Sequence, residues 1–182
     1  MRFWIVIILL LVFWSGLWVV LNGFTFPSLS ITGLFTAPRF QSPTLRGFDA
    51  NASCDSSLWN RVYTPRRLRV LKDCVSVDGT VAGFERESDG SVAIKLKVGE
   101  ELVGLLNQQN LDLQGGSLVV RIVCASSVSR EDVMQEGVCD GFSSSVYVPQ
   151  EGERVRITGS FVLNTRDGWN EIQPVTAIET VG

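Results

Sequence analysis

Residues 75–81 read Val-Ser-Val-Asp-Gly-Thr-Val, with an apolar residue or a glycine at every second position. A period of two is typical of a β-strand that buries one of its faces. The central glycine would allow such a strand to bend sharply. Four later segments are also apolar on at least one face: 92–98, 118–124, 154–161 and 172–178. The sequence therefore predicts five short strands and an all-β domain.

The segments between these strands contain turn and helix signals. Asp89-Gly90 and the run 164–168, which ends in Asp-Gly, favour hairpin turns. The long connection over 126–152 contains Ser129-Arg130-Glu131-Asp132, where Ser129 can cap a short helix and Asp132 can complete the cap. Residues 100–107 are a second helical candidate between the second and third strands.

The strand count and the positions of Gly and Pro favour one architecture. Gly79 and Gly159 would lie inside strands and allow the bends that closure of a barrel needs. Pro174 in the last strand indicates an edge position or a bulge. We predict a five-stranded, OB-like Greek-key barrel with one or two short helices, and a generic small β-barrel is the alternative.

Several motifs of this domain occur together in one known group of proteins. They are Trp59-Asn60, Arg67-Leu68 through Cys74, Val77 to Val81, Asp89-Gly90, and Gly168-Trp169-Asn170-Glu171-Ile172-Gln173-Pro174-Val175. In these motifs the stretch from residue 58 to the C-terminus resembles uncharacterised archaeal and bacterial membrane-anchored OB-fold-like domains. The resemblance implies a fold and no activity. Two family histidines are missing, because Gln173 replaces one and Ser91 follows Asp89-Gly90 where the family has Asp and then His.

The N-terminus contains a long apolar segment. Phe3–Leu21 is nineteen residues without a charge, which as a helix would be about 28 Å long and would span a bilayer. Arg2 precedes the segment, and the next basic residue is Arg39. The positive-inside rule then predicts a single-pass anchor over 1–21, with the N-terminus in the cytoplasm and the rest outside. A cleaved signal peptide is the alternative, although it would normally be shorter and end in a small-x-small site.

The segment after the anchor is predicted to be a tether. Half of residues 22–57 are Ser, Thr, Pro, Gly or Asn, without a sustained period, so the folded domain is expected over 58–182. Asn51-Ala52-Ser53 within the tether is a candidate glycosylation site.

All four cysteines lie beyond the anchor: Cys54, Cys74, Cys124 and Cys139. No pair has the close spacing of a metal site, so two disulfides in an oxidising compartment are favoured, with three connectivities open. The chain has no histidine, which removes the commonest metal ligand and the usual general base. We therefore expect no metal, no cofactor and no catalytic residues.

The charge pattern limits the choice of ligand. Residues 50–182 hold 13 Lys and Arg against 18 Asp and Glu, a net charge of −5, which excludes a strongly basic nucleic-acid-coating protein. Aromatic and basic side chains that could still contact a ligand are Trp59, Tyr63, Arg66, Arg67, Arg69, Lys95, Lys97, Arg121 and Trp169. Asp89 and Glu171 are the best carboxylate candidates for binding a cation or a sugar. Each also has a simple structural explanation: Asp89 as a turn residue, and Glu171 as the partner of an arginine or a backbone amide.

These observations predict a membrane-anchored extracytoplasmic module for binding or assembly, for instance an accessory subunit that contacts other membrane proteins. The alternative is an extracytoplasmic OB-fold binder of single-stranded nucleic acid or oligosaccharide, with nucleic acid or glycan not favoured as a partner. A hydrolytic enzyme ranks last.

Overall fold

The computed structural model describes residues 46–182. The anchor predicted over 1–21 and most of the tether predicted over 22–57 lie outside these residues. In the described part of the chain, every helix is too short or too polar to cross a membrane.

The described residues form an all-β fold with one six-stranded sheet. Its strands are β1 (Phe48–Asp49), β2 (Leu68–Arg86), β3 (Val92–Val98), β4 (Leu118–Ile122), β5 (Arg154–Asn164) and β6 (Asn170–Thr180). Two α-helices are present, α1 (Gln108–Leu113) and α2 (Glu131–Glu136), together with 3-10 helices at Ser56–Arg61, Pro65–Arg67 and Glu100–Leu105. The five predicted strands are confirmed, and β1 is an additional one.

The strand order is β1-β2-β3-β4-β6-β5, and β5 also pairs with β2. All pairs are antiparallel except β4 with β6, which are parallel. Strand β2 is much longer than predicted and serves two large ladders. Its residues 68–80 pair with β5, and its residues 79–86 pair with β3. One long strand therefore contributes to both ladders.

Glycine is required at both predicted positions inside the strands. A Cβ on Gly79 would lie 2.6 Å from Leu96 Cγ and 2.7 Å from the carbonyl oxygen of Lys97. A Cβ on Gly159 would lie 2.6 Å from the carbonyl oxygen of Pro174. The bulge predicted from Pro174 is confirmed, because the β5–β6 register shifts on either side of Gly159.

Two apolar clusters hold the sheet together. The larger one takes alternate residues from most strands, including Val92, Ile94 and Leu96 of β3, all fully buried. The smaller one joins the N-terminal segment to the sheet and consists of Val62, Leu68, Val123 and Val162, with Leu58 and Trp59 packed against it. Fully burying such an aliphatic side chain stabilises a fold by about 1.5–3 kcal/mol, so the N-terminal segment is firmly docked.

Both disulfides are present, and they pair neighbouring cysteines in sequence. Cys54 is bonded to Cys74 with a Cα–Cα distance of 5.7 Å, and Cys124 to Cys139 with 5.5 Å. The Cys54 bond and the pairing of β1 with Ser76 and Val77 attach residues 46–57 to the sheet. This segment is therefore part of the folded unit, which begins earlier than the predicted residue 58.

The predicted turns and helices are present with changed boundaries. Gly90 and Gly168 have φ values of +85° and +86° in the two predicted hairpin turns. The helix predicted over 100–107 is instead the 3-10 helix Glu100–Leu105 followed by α1, which Asn107 caps. Ser129 is not the cap of α2, since Arg130 occupies the N-cap position without a side-chain cap bond.

Candidate ligand-binding cleft

A cleft of about 500 Å³ opens beside β3 and β4. Strand β2, the end of α1 and the residue before β6 complete its lining. The lining residues are Gly83, Phe84, Glu85, Glu87, Ala93, Ile94, Lys95, Leu113, Gln114, Val119, Arg121 and Trp169. It therefore combines aromatic, aliphatic and charged side chains, as ligand sites commonly do.

The alternation of β3 and β4 determines which residues line the cleft. In β4 the core takes Leu118, Val120 and Ile122, so Val119 and Arg121 belong to the opposite face. Across the ladder, Ala93 pairs with Arg121 and Lys95 pairs with Val119. Apart from the core residue Ile94, the lining residues of these two strands thus lie on the face that points away from the core.

Arg121 is the buried charge of this site. Its side chain is only 7% exposed, and Nη1 forms an ion pair with Glu87 Oε2 at 2.5 Å. Its Nε donates a hydrogen bond to Glu171 Oε2 at 3.3 Å. Burial opposes the charge on Arg121, but the two carboxylates outweigh it and raise the pKa of the guanidinium. Arg121, a candidate ligand contact in the sequence, is therefore a structural cation paired with two carboxylates.

Glu171 connects this ion pair to the tryptophan of the cleft. Its carboxylate is fully buried, and burial raises its pKa against the opposing effects of Arg121, Trp169 and Asn164. The indole Nε1 of Trp169 donates to Glu171 Oε2 at 3.0 Å, and Asn164 Nδ2 donates to Oε1 at 3.4 Å. A charge-assisted hydrogen bond of this kind fixes the orientation of the half-buried indole.

The exposed charges of the cleft have both signs. Lys95 on β3 and Glu85 on β2 are exposed, and the half-buried Glu87 follows the end of β2. Lys97 lies one step further along β3 and donates from Nζ to the carbonyl oxygen of Gly115. Of the candidate ligand residues on β3 and β4, Lys97 and Arg121 thus have partners within the protein, and the three cations do not form a free basic row.

The remaining predicted ligand residues lie in the N-terminal segment and on β2. Trp59 packs against the smaller apolar cluster, so its side chain is partly buried there. The Tyr63 hydroxyl donates to Asp132 Oδ2 at 2.8 Å, and the Arg130 guanidinium lies 4.5 Å from the Tyr63 ring centre. The hydrogen bonds from Arg130 and Tyr63 hold the pKa of Asp132 well below its usual range.

The segment from Arg61 to Lys72 is a basic run of five Lys and Arg residues, and its side chains are divided between structure and solvent. Arg66 and Arg69 are exposed, whereas Arg67 is half-buried and its carbonyl oxygen accepts from the backbone and hydroxyl of Thr165. Arg61, in the same run, donates to the carbonyl oxygen of Val138 at 3.0 Å. No residue of this run lines the cleft beside β3 and β4.

Both carboxylate candidates have structural partners. Asp89 accepts hydrogen bonds from the backbone and the hydroxyl of Ser91 in the β2–β3 turn, and Glu171 is paired with Arg121. The structural explanation of each residue is therefore confirmed. Within residues 46–182, no three acidic or cysteine side chains are grouped closely enough to hold a metal ion.

A second, more open cleft of about 490 Å³ adjoins the first. Its lining residues are Arg86, Glu87, Ser88, Ser126, Ser127 and Ser129. Glu87 lines both clefts.

Several lining residues were missed by sequence reasoning, above all Phe84, Leu113 and Gln114. One signal was available: β4 is apolar on both faces, since Val119 lies opposite the core. A strand that is apolar on both faces needs a second cover, and Leu113 at the end of α1 lines the same cleft as Val119. Nothing in the sequence indicated which residues of that helix would line the cleft.

A scan against models of known protein families found no match to this chain, and a search of functionally curated proteins found no significantly similar sequence.

Proposed function

We propose that this chain is a membrane-anchored, extracytoplasmic OB-like module that binds a neutral oligosaccharide in the cleft beside β3 and β4. The observation that carries the proposal is the composition of the cleft, in which an oriented tryptophan lies among charged groups of both signs. Support comes separately from the fold, the location and the chemistry of the lining.

The strand pairings support the OB-like barrel. Starting at β2, the pairs run through β3, β4, β6 and β5 and return to β2. The parallel pair β4–β6 and the helix-bearing connection between β4 and β5 fit the same five-stranded Greek-key plan. In OB-folds the second and third barrel strands and their flanking loops hold oligonucleotides or oligosaccharides. Those strands correspond to β3 and β4, where the cleft lies.

The two disulfides support the location. Such bonds persist in oxidising compartments and are rare in the cytosol. The apolar run Phe3–Leu21 and the single Arg2 before it support an anchor with the domain outside. The resemblance to membrane-anchored OB-like domains agrees with this arrangement.

The lining favours a sugar over a nucleic acid. Sugars offer apolar ring faces for Trp169 and hydroxyls that both donate and accept hydrogen bonds, which suits a mixture of Lys95, Glu85 and Gln114. A nucleic-acid groove is positively charged along its length. Here Arg121 is neutralised by ion pairs, and the domain as a whole is acidic. The phosphate backbone would be repelled by the carboxylates.

Trp169→Ala is the direct test of this proposal. We expect the purified full chain in detergent to retain ligands from an array of neutral and acidic glycans, with neutral ones preferred. Removing the indole should weaken binding by about tenfold or more, since an aromatic contact and its buried area are lost. Calorimetry on the best array ligand measures the change.

Tyr147→Ala is the matched control, because Tyr147 is an exposed aromatic residue outside the cleft lining. It should leave the affinity unchanged. Absence of glycan binding by the wild-type protein, or equal loss in both variants, would contradict the proposal.

An assembly role is a second candidate, favoured by exposed apolar residues on β2. Val70 and Leu71 are 45% and 43% exposed, next to Arg69 and Lys72. Affinity purification in mild detergent tests it: a stoichiometric membrane protein that is lost in a Val70→Ser/Leu71→Ser variant would support assembly through this surface.

A further inference from the structure

We infer that the glycan ligand is an extended chain that crosses from the tryptophan-lined cleft into the serine-lined cleft, so that affinity depends on chain length. This inference rests on the proposed function and specifies the ligand class of the same site.

The two clefts share a wall. Glu87 lines both of them and holds Arg121 by the 2.5 Å ion pair. Arg121 donates to Glu171, and Glu171 also accepts from the Trp169 indole, so the shared wall is connected to the indole through the buried Glu171 carboxylate. Because Glu87 is a lining residue of both clefts, a ligand seated in the tryptophan-lined cleft can continue past Glu87 into the serine-lined one.

The serine-lined wall is held in place by backbone hydrogen bonds. Ser129 N and Arg130 N donate to the carbonyl oxygen of Ser88 at 3.0 and 3.1 Å, and Ser126 N donates to that of Gly90 at 2.9 Å. An isolated bridge also joins Asp89 to Val128. The loop after β4 is thus fixed to the β2–β3 turn before any ligand arrives, which lowers the ordering cost of binding.

The chemistry of this second cleft matches a neutral hydroxylated chain. Ser88, Ser127 and Ser129 are exposed in it, and each hydroxyl can donate one hydrogen bond and accept others. Arg86 adds donors and Glu87 adds acceptors at its border. The second cleft, unlike the first, has no aromatic lining residue, so it would contribute hydrogen bonds rather than stacking.

A chain-length series tests this inference. The probes are maltooligosaccharides, chitooligosaccharides and mannooligosaccharides of one to six rings, titrated calorimetrically against the full chain in detergent. We expect the series that binds to gain at least about tenfold in affinity with length before reaching a plateau. The variant Ser88→Ala/Ser127→Ala/Ser129→Ala should lower the affinity of the longer members by about tenfold and leave the shortest binding member unchanged.

The matched control is Ser56→Ala/Ser143→Ala/Ser145→Ala, which removes three exposed serines outside both clefts. It should bind every member like the wild type. Two results would overturn the inference but leave glycan binding itself intact. One is equal affinity for short and long members, and the other is a Ser88→Ala/Ser127→Ala/Ser129→Ala variant that binds like the control. Failure of every series to bind would reject the proposed neutral-glycan site as well.

Discussion

At the scale of single residues, the Arg121–Glu171 pair makes a sharp prediction. Arg121→Met would leave the Glu171 carboxylate buried without its cation, and breaking a buried pair in this way costs about 3–5 kcal/mol of unfolding free energy near neutral pH. The double variant Arg121→Met/Glu171→Gln removes both charges. It should recover most of the stability, because the buried residue 171 is then neutral and Glu87, the other partner of Arg121, is partly exposed to solvent. Urea unfolding of the three proteins measures these differences.

The same pair predicts a pH dependence with a definite sign. Burial raises the pKa of Glu171 in the folded protein above its unfolded value of about 4.3. The folded state therefore binds this proton more tightly, and the resulting stability is present below about pH 4 and is lost as the pH rises through the folded pKa. Without Arg121 that pKa rises further. The deficit of Arg121→Met should accordingly shrink on acidification, and a deficit that is constant from pH 4 to pH 8 would contradict the burial of an ionised Glu171.

The glycines inside the strands give a second prediction at this scale. Gly159→Ala would place a Cβ 2.6 Å from the carbonyl oxygen of Pro174. Because this oxygen belongs to the backbone, the clash can be relieved only by moving one of the two strands. We expect a loss of about 1–3 kcal/mol in unfolding free energy. Gly104→Ala is the control, since a Cβ there meets nothing within 4 Å. Chemical denaturation compares the two, and equal stability would mean that β5 and β6 can separate freely.

At the scale of elements, the Cys54–Cys74 bond has a testable local role. It closes a segment of 20 residues, and such a cross-link stabilises a fold by about 3 kcal/mol in the chain-entropy model. Cys54→Ser/Cys74→Ser should therefore lower global stability and also speed amide exchange at β1 and its partner Val77. The central pair β3–β4 should still exchange most slowly. Hydrogen exchange measured by mass spectrometry tests this prediction. An equal increase in exchange rate across all strands would contradict it and would show that β1 depends on the whole sheet instead.

The elements also show what the sequence could predict. Alternation identified five strands because a half-buried strand must place apolar residues at every second position, as β3 does with Val92, Ile94 and Leu96. It missed β1, since two residues carry no period. It also missed the length of β2, whose exposed residues Val70 to Asp73 break the alternation. Pairing partners, not local sequence, determine where such segments end.

The candidate site was predictable only in part for a related reason. Lys95, Arg121 and Trp169 were found because charged and aromatic residues at strand positions are visible in one sequence. Their grouping with Phe84, Leu113 and Gln114 was not, because those residues lie on β2 and at the end of α1 and are brought to the cleft only by the fold. The burial of Arg121 depends on Glu87 and Glu171, which are 34 and 50 positions away and are brought close by the sheet.

At the scale of the whole molecule, the acidic balance predicts weak binding of nucleic acid. A net charge of −5 over residues 50–182 repels a polyanion within a Debye length of about 8 Å at physiological salt. The full chain in detergent should bind single-stranded DNA more weakly than 1 µM, and Arg66→Ala/Arg67→Ala/Arg69→Ala should weaken it further. If three phosphate contacts were made there, the variant would lose about 2 units from the slope of log K against log salt. Submicromolar binding by the wild type would place nucleic acid ahead of glycan as the ligand.

The proposed topology makes the last prediction. If the apolar run near the N-terminus is an uncleaved anchor, protease added to right-side-out vesicles should release a soluble fragment that retains both disulfides. Because Phe48 is paired with β2 and Cys54 is bonded to Cys74, cleavage at residues 48–54 should be resisted or should leave the peptide attached. The released fragment should therefore begin before Phe48, as mass spectrometry under non-reducing conditions would show. Inside-out vesicles are the control and should protect the domain. Protection in right-side-out vesicles instead would put the domain in the cytoplasm, where two stable disulfides would not be expected.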